Sequence, residues 1–298
     1  MRLKSLPAQA KFALNSGLIA GNIATYFPLL LSTALLRSIP NAQAQAKSKH
    51  LAVWVAEQWI SNNNRILELT QTTQYDIRGL AQLDPQKSYL LVANHQSWTD
   101  IMVLQKVLNQ KIPFFRFFLK QELIWVPVMG VCWWMLDFPF MKRYSKQQLA
   151  KKPALKGKDK QTTIDRCKKL QGSPVSIMNF LEGTRFSPVK HQQQQSPYQN
   201  LLKPRSAGAS YALSVLADSL QTLLNVTIVY PDGNSGYIDF LAGRTPKIIV
   251  DIQVQAIPRE IREGDYENDA AFRQRFQDWI SQIWAAKDAK IAQLMAEK

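Results

Sequence analysis

The heptapeptide Asn94-His95-Gln96-Ser97-Trp98-Thr99-Asp100 follows directly on the apolar run Tyr89 to Ala93. On one continuous helix an imidazole and a carboxylate five positions apart would point about 140° away from each other. The spacing therefore predicts His95 in a loop after a strand, with Asp100 in the first turn of the next helix and reaching back. Asp100 would accept the N–H of one ring nitrogen and set the tautomer, leaving the other nitrogen free to take a proton from a substrate hydroxyl. A nearby helix N-terminus disfavours imidazolium before reaction, and the carboxylate stabilises it once the proton arrives. This is the basic half of a serine hydrolase triad without the serine, and the chain has no GxSxG elbow to supply one. The same residues also have a purely structural reading, because Ser97 and Asp100 form an S-x-x-D capping box that needs no catalysis. Of the three histidines, His50 and His191 fall in polar, loop-like surroundings with no acidic residue at a useful spacing.

A second group is Phe180-Leu181-Glu182-Gly183-Thr184-Arg185, at the end of the apolar run Val175 to Leu181. Gly183 lets the chain turn with its amide exposed, and Arg185 offers a planar fork of donors suited to a phosphate. By itself this is a weak motif, since a glycine turn followed by arginine ends many strands.

Both groups need strands to carry them. From Tyr75 onward short apolar runs alternate with helical stretches, which predicts an α/β fold with a mixed, partly parallel sheet flanked by helices. The expected strands are Ser88 to Ala93, Phe114 to Phe118, Met135 to Phe140, Val175 to Leu181, Asn225 to Tyr230 and Lys247 to Gln255. Helices are expected over Thr99 to Leu108, Asp159 to Leu170, Ala207 to Leu220 and Ala270 to Met295, and Gln192 to Gln195 reads as a loop. The last helix sets Phe272, Phe276, Trp279, Ile280, Ile283, Trp284 and Ile291 on one face, to pack on the domain rather than on a membrane. The apolar run Leu123 to Met141 contains Asp137, Pro127 and Pro139 and reads as a buried core segment, not a second span.

Phe12 to Leu36 has no charged residue and exceeds the roughly 20 residues that cross a bilayer, although Asn15, Asn22 and Pro28 interrupt it. Cations flank both ends, so the charge rule assigns no orientation. A cleaved leader with A-x-A sites at Ala42 to Ala46 is the weaker alternative, because its apolar region would be too long. An amphipathic helix over His50 to Leu69 follows. The expected organisation is residues 1–75 as N-terminal membrane-associating helices, 76–260 as the catalytic domain and 261–298 as a C-terminal amphipathic helix. Lys and Arg total 37 against 22 Asp and Glu, a balance that favours anionic partners. Cys132 and Cys167 have neither CxxC spacing nor a histidine cluster, so reduced structural thiols are expected and no metal.

Taken in order, these blocks resemble the glycerolipid acyltransferases typified by 1-acylglycerol-3-phosphate acyltransferase, over about Tyr75 to Pro231. The resemblance rests on NHQSWTD, on Lys120-Gln121-Glu122-Leu123 followed by Pro127 and Gly130, on Phe140-Met141-Lys142-Arg143, on FLEGTR, and on a late strand ending in Val229-Tyr230-Pro231. FPFMKRYSK, GKDKQTT and KHQQQQSPYQNLLKPR look like a bacterial inner-membrane branch related to lysocardiolipin and lysophosphatidylinositol acyltransferases. Lys142 and Arg143 stand where phosphatidate-forming members often carry a single arginine, a departure that bears on headgroup recognition. The resemblance implies His95 as base and Asp100 as its orienting partner. It implies Glu182, Gly183, Thr184 and Arg185 as the acceptor-phosphate site, with Lys120 and Arg143 serving the thioester oxyanion or phosphate charge. It also implies a direct transfer to a lysophospholipid hydroxyl with acyl-CoA or acyl-carrier protein as co-substrate, no metal and no bound cofactor, and a catalytic domain on the cytoplasmic face of the bacterial inner membrane.

Two other classes fit parts of the sequence. A nucleic-acid-binding protein is suggested by the net charge of +15 and eight tryptophans, but zinc-finger spacing and an RNP-like aromatic strand are both missing. A membrane lipase or thioesterase would use the same His-Asp pair with water in place of the lipid hydroxyl.

Overall fold

The computed structural model describes residues 3–141, 170, 172–233 and 236–297. A six-stranded sheet runs in the order β1-β8-β7-β2-β6-β3. Its strands are β1 (Gln74–Arg78), β2 (Tyr89–Ala93), β3 (Phe115–Phe117), β6 (Ser176–Phe180), β7 (Thr222–Val229) and β8 (Lys247–Ala256). β7, β2, β6 and β3 are mutually parallel, whereas β8 is antiparallel to β7 and parallel to β1. β4 (Leu119–Lys120) and β5 (Phe140–Met141) form a separate two-stranded piece. The sheet is therefore mixed and partly parallel, and the expected fold class holds.

β2 is buried throughout because parallel strands are covered on both faces. Its side chains alternate accordingly. Leu90 and Val92 face a core shared with the helices α6 (Ala207–Leu216) and α9 (Ala270–Ala296). Tyr89, Leu91 and Ala93 face a second core that takes in α3 (Thr99–Leu108) and the N-terminal helices. The last helix packs as its spacing predicts, with Phe276 and Trp284 fully buried on the sheet side. Shorter helices α4 (Met129–Met135), α5 (Pro188–Gln194), α7 (Tyr237–Leu241) and α8 (Arg259–Arg262) fill the connections.

The two N-terminal helices, α1 (Ala8–Arg37) and α2 (Ala42–Thr70), form an antiparallel hairpin. Asn41 caps the second helix by accepting from Gln43 N and Ala44 N at 2.8 and 3.1 Å. The polar residues that interrupt the apolar run are the rungs of this hairpin. Asn22 donates to Asn63 Oδ1 at 2.8 Å, and Asn15 accepts from the Thr70 hydroxyl at 2.7 Å. Asn15 also donates to Leu241 O at 2.7 Å, which ties the hairpin to α7. α1 is long and apolar enough to cross a membrane, and Leu18, Leu29, Leu31 and Leu35 remain exposed along it.

Three local expectations are corrected. No strand forms over Met135 to Phe140: α4 ends at Met135, Asp137 takes a left-handed φ of 57°, and only Phe140–Met141 pairs. The Asp137 carboxylate is held there by Arg37 at 2.8 Å. Gln192 lies inside α5 rather than in a loop, because Ser187 caps that helix and Pro188 preorganises its first turn. His191 is therefore helical, as is His50 in α2. The run Leu123 to Met141 is not wholly buried core, since Trp125 is 84% exposed. The helix expected at Asp159 to Leu170 lies outside the described residues except for its last position, as do Lys142, Arg143 and Cys167.

Candidate functional site

The site sits where β2 and β6 end together. Ala93 pairs with Phe180, so two residues further on His95 and Glu182 emerge opposite one another. The His95 amide donates to Glu182 Oε1 at 2.8 Å, and the His95 carbonyl accepts from Phe186 N at 2.7 Å. Asn94 holds the other side of the loop. Its side-chain amide donates to Ile228 O at 2.8 Å and accepts from Ile228 N at 2.9 Å, standing in for a ladder pair as the backbone leaves the sheet.

His95 Nδ1 lies 2.9 Å from Asp100 Oδ2, in the loop-to-helix geometry that the spacing predicts. The same Oδ2 accepts from Gln96 N at 2.6 Å and Ser97 N at 2.8 Å. The carboxylate thus orients the imidazole and caps the helix at once, so the two readings of the motif describe one group. Asp100 Oδ1 accepts from the Tyr230 hydroxyl at 2.7 Å. Burial and the neighbouring Asp100 charge hold the Tyr230 phenol well above its ordinary value, so it remains a donor. Asp100 is buried and the His95 side chain 13% exposed, with its ring stacked on Phe180 at 3.8 Å between centroids. One nitrogen is committed to Asp100 and Nε2 is left for a substrate.

The FLEGTR turn divides in a way its letters do not announce. Gly183 adopts φ +65°, a conformation that favours glycine, and a Cβ there would press on the Arg205 side chain at 3.1 Å from Cδ. Thr184 accepts from Lys190 Nζ at 2.8 Å. Arg185 is exposed, with its guanidinium carbon 5.1 Å from the Trp98 ring centroid. Glu182, expected among the phosphate contacts, is instead fully buried. Its second oxygen accepts from Leu202 N at 3.1 Å. A carboxylate with both oxygens taken by backbone amides positions the His95 loop and cannot meet a phosphate. Lys120 is exposed at the end of β4, in the small two-stranded piece rather than in the His95 loop.

Sequence reasoning missed the support behind Glu182. Lys287 on α9 is buried, donating to Val226 O and, at 3.3 Å, to the Thr227 hydroxyl. Burial pushes Lys287 down to about 7 and Glu182 up to about 7, and the charge of each opposes the shift of the other. Trp284 Nε1 donates to Leu202 O at 2.9 Å, and Asp288 accepts from Gln199 N and Asn200 N at 2.8 and 2.7 Å. The only sequence signal was a lysine at a helical position among buried apolar neighbours. Among the described residues no group of three or more His, Cys, Asp or Glu side chains could hold a metal ion.

Trp98, from the stretch between His95 and Asp100, enters the wall of an apolar cavity of about 560 Å³, within the usual range for ligand pockets. Its walls come from α1, α2, α3 and α4, among them Ile23, Trp59, Met102 and Trp133. Trp98 belongs both to this wall and to the Arg185 contact, so one ring joins the apolar chamber to an exposed cation.

The family model described as Acyltransferase matches residues 74–229, just over half of the chain. The chain belongs to the acyltransferase family. The match opens at β1 and closes at the end of β7, so it contains both oxygens' partners of Asp100 except the Tyr230 phenol, one residue beyond. Similar proteins include the 2-acyl-1-lysophosphatidylinositol acyltransferase of Saccharomyces cerevisiae, 29% identical over 39% of this chain and 32% of that protein. The mouse 1-acyl-sn-glycerol-3-phosphate acyltransferase gamma is 26% identical over 57% of this chain and 43% of its own length. The chain thus spans less than half of either relative. The crystal structure of the 1-acyl-sn-glycerophosphate acyltransferase from Thermotoga maritima superposes with a TM-score of 0.57, covering 95% of each chain at 14% identity. That likeness shows a shared fold over nearly the whole of both chains.

Proposed function

We propose that this acyltransferase moves a fatty acyl group from acyl-CoA or acyl-carrier protein to the free hydroxyl of a lysophospholipid, with 1-acylglycerol-3-phosphate as the acceptor. The observation that carries this reading is Trp98, which stands between His95 and Asp100 in the chain and links an exposed arginine to an apolar chamber. A lysophospholipid has that same division, an anionic head and an apolar tail on either side of a hydroxyl.

In the proposed reaction His95 Nε2 takes the acceptor hydroxyl proton, and Asp100 stabilises the imidazolium that forms. The oxygen attacks the thioester carbonyl, and collapse of the tetrahedral intermediate expels the thiolate, which takes the proton from the His95 imidazolium and restores the base. Arg185 meets the acceptor phosphate, with its fork suited to two oxygens at once. Neither metal nor bound cofactor enters these steps. The donors are made in the cytoplasm, so the catalytic face is assigned to the cytoplasmic side of the bacterial inner membrane. Lysophosphatidylinositol-type acceptors form a second reading, favoured by the yeast relative and by Lys142-Arg143.

Mass spectrometry of lipids, after incubating the membrane-bound protein with each of several lysophospholipids and a thioester donor, tests the proposal. Diacyl product is expected with 1-acylglycerol-3-phosphate. Free fatty acid as the sole product would establish the hydrolase reading instead, and product from another acceptor alone would reassign the substrate.

A further inference from the structure

The uncharged run Leu123 to Leu136 has no part in the chemistry, yet its side chains divide into two apolar sets. Met129, Cys132, Trp133 and Leu136 line the cavity. Trp125, Val126, Val131 and Trp134 are exposed, Trp125 to 84%. A segment apolar on both sides is stable where one side meets a core and the other meets lipid. Tryptophan suits the boundary, because its ring is apolar and its N–H is wet.

The neighbouring element identifies the occupant. Arg37, the last residue of α1, lies over the Trp134 ring at 5.7 Å, donates to Met135 O at 3.2 Å and pairs with Asp137 at 2.8 Å. The exposed apolar side of the run is thereby fastened to the end of the one described helix long and apolar enough for a membrane, where Leu35 is 73% exposed. Two apolar surfaces about a hundred residues apart in sequence meet on one side of the molecule, and a net charge of +15 suits an anionic bilayer surface.

We propose that the segment Trp125–Trp134 inserts into the same leaflet as the C-terminal end of α1, so that the cavity wall made by Met129, Cys132 and Trp133 stands between the chamber and the lipid. Insertion of this kind reaches about 5–10 Å into the headgroup and acyl boundary. The proposal rests on the acyl-transfer reading only for why the chamber adjoins lipid.

The test uses the full chain on vesicles of phosphatidylglycerol and phosphatidylethanolamine with brominated acyl chains, which quench nearby tryptophans. Native protein is compared with the double variant Trp125→Phe, Trp134→Phe, and vesicle flotation and gel filtration are run on Trp125→Glu. The quenched part of the emission is expected to shrink in the double variant, and Trp125→Glu is expected to float less while eluting unchanged. Equal quenching in native and variant protein would overturn the proposal. So would conversion of a dimer to a monomer by Trp125→Glu with flotation intact, since a second copy would then be the occupant. The vesicles hold neither thioester nor lysophospholipid, so insertion is read independently of transfer, and failure of the separate lipid assay would refute the proposed reaction while leaving the insertion standing.

Discussion

Asp100 shows how one carboxylate can serve local structure and chemistry together. Four donors converge on it, from His95, Gln96, Ser97 and Tyr230. His95→Ala removes only the ring and leaves the capping bonds, so the protein is expected to fold while acyl transfer falls by about 10² to 10⁴-fold, the usual scale of general-base assistance. Asp100→Asn is expected to lower both thermal stability and turnover. Full specific activity in its folded fraction would leave capping as its sole contribution. Arg185→Ala is expected to raise the apparent KM for the acceptor more than that for the thioester, because a guanidinium over Trp98 can meet a phosphate but does not read acyl length. Arg185→Lys restores part of the loss, since a point charge returns without the fork. Steady-state kinetics with each substrate varied in turn check both variants.

Among the elements, α9 governs the site most indirectly. It lies beyond the residues of the family match, yet Trp284 and Asp288 clamp the segment 199–202, and Leu202 N continues the chain of bonds through Glu182 to the His95 amide. Trp284→Phe leaves the Leu202 carbonyl without its donor. A loss of about 1–3 kcal/mol in stability is expected, together with lower kcat at nearly constant KM, read by denaturant titration and kinetics. The buried Lys287–Glu182 pair makes stability depend on pH. Lys287 is depressed to about 7 from 10.5, so between those values the unfolded chain holds a proton that the folded chain has released, and stability rises with pH. Glu182 is raised from 4.5 to about 7, and over that lower window stability falls as pH rises. Lys287→Met is expected to remove the upper rise, seen as thermal midpoints that no longer climb from pH 7 to pH 10.

The molecule as a whole is built around its cavity, which depends on both halves of the chain. Ile19 and Leu67 sit in the core with β2 and α3, and Leu30, Val55 and Ala56 sit with Leu136 and Phe140. Deleting residues 1–70 would remove one wall of the chamber and uncover apolar side chains of α3 and the sheet. The truncated protein is expected to aggregate or melt at a markedly lower temperature than the full chain. Light scattering and calorimetry in detergent check this, and an equally stable monomer would show the hairpin to be an independent appendage.

The amino-acid sequence by itself determined the strand-loop-helix carrying His95 and Asp100, the bounds of α3, the packing face of α9 and the expected apolar strands other than Met135 to Phe140. Each of these is local: a period, a spacing of five, or a run of apolar residues that decides burial within a few positions. It misread Glu182 as a ligand because burial of a carboxylate depends on which amides face it, here those of His95 and Leu202, 87 and 20 residues away. It missed the hydrogen bonds that Tyr230, Lys287 and Trp284 make behind the site for the same reason, since their partners lie 130, 61 and 82 residues distant. Leu123 to Leu136 was legible as apolar but not as two-sided, because only the packing of α1 and α2 decides which of its side chains meets a cavity and which the surface. Tertiary structure decided these points because hydrogen-bond partners and cavity walls are properties of elements brought together, and no spacing along the chain encodes their meeting.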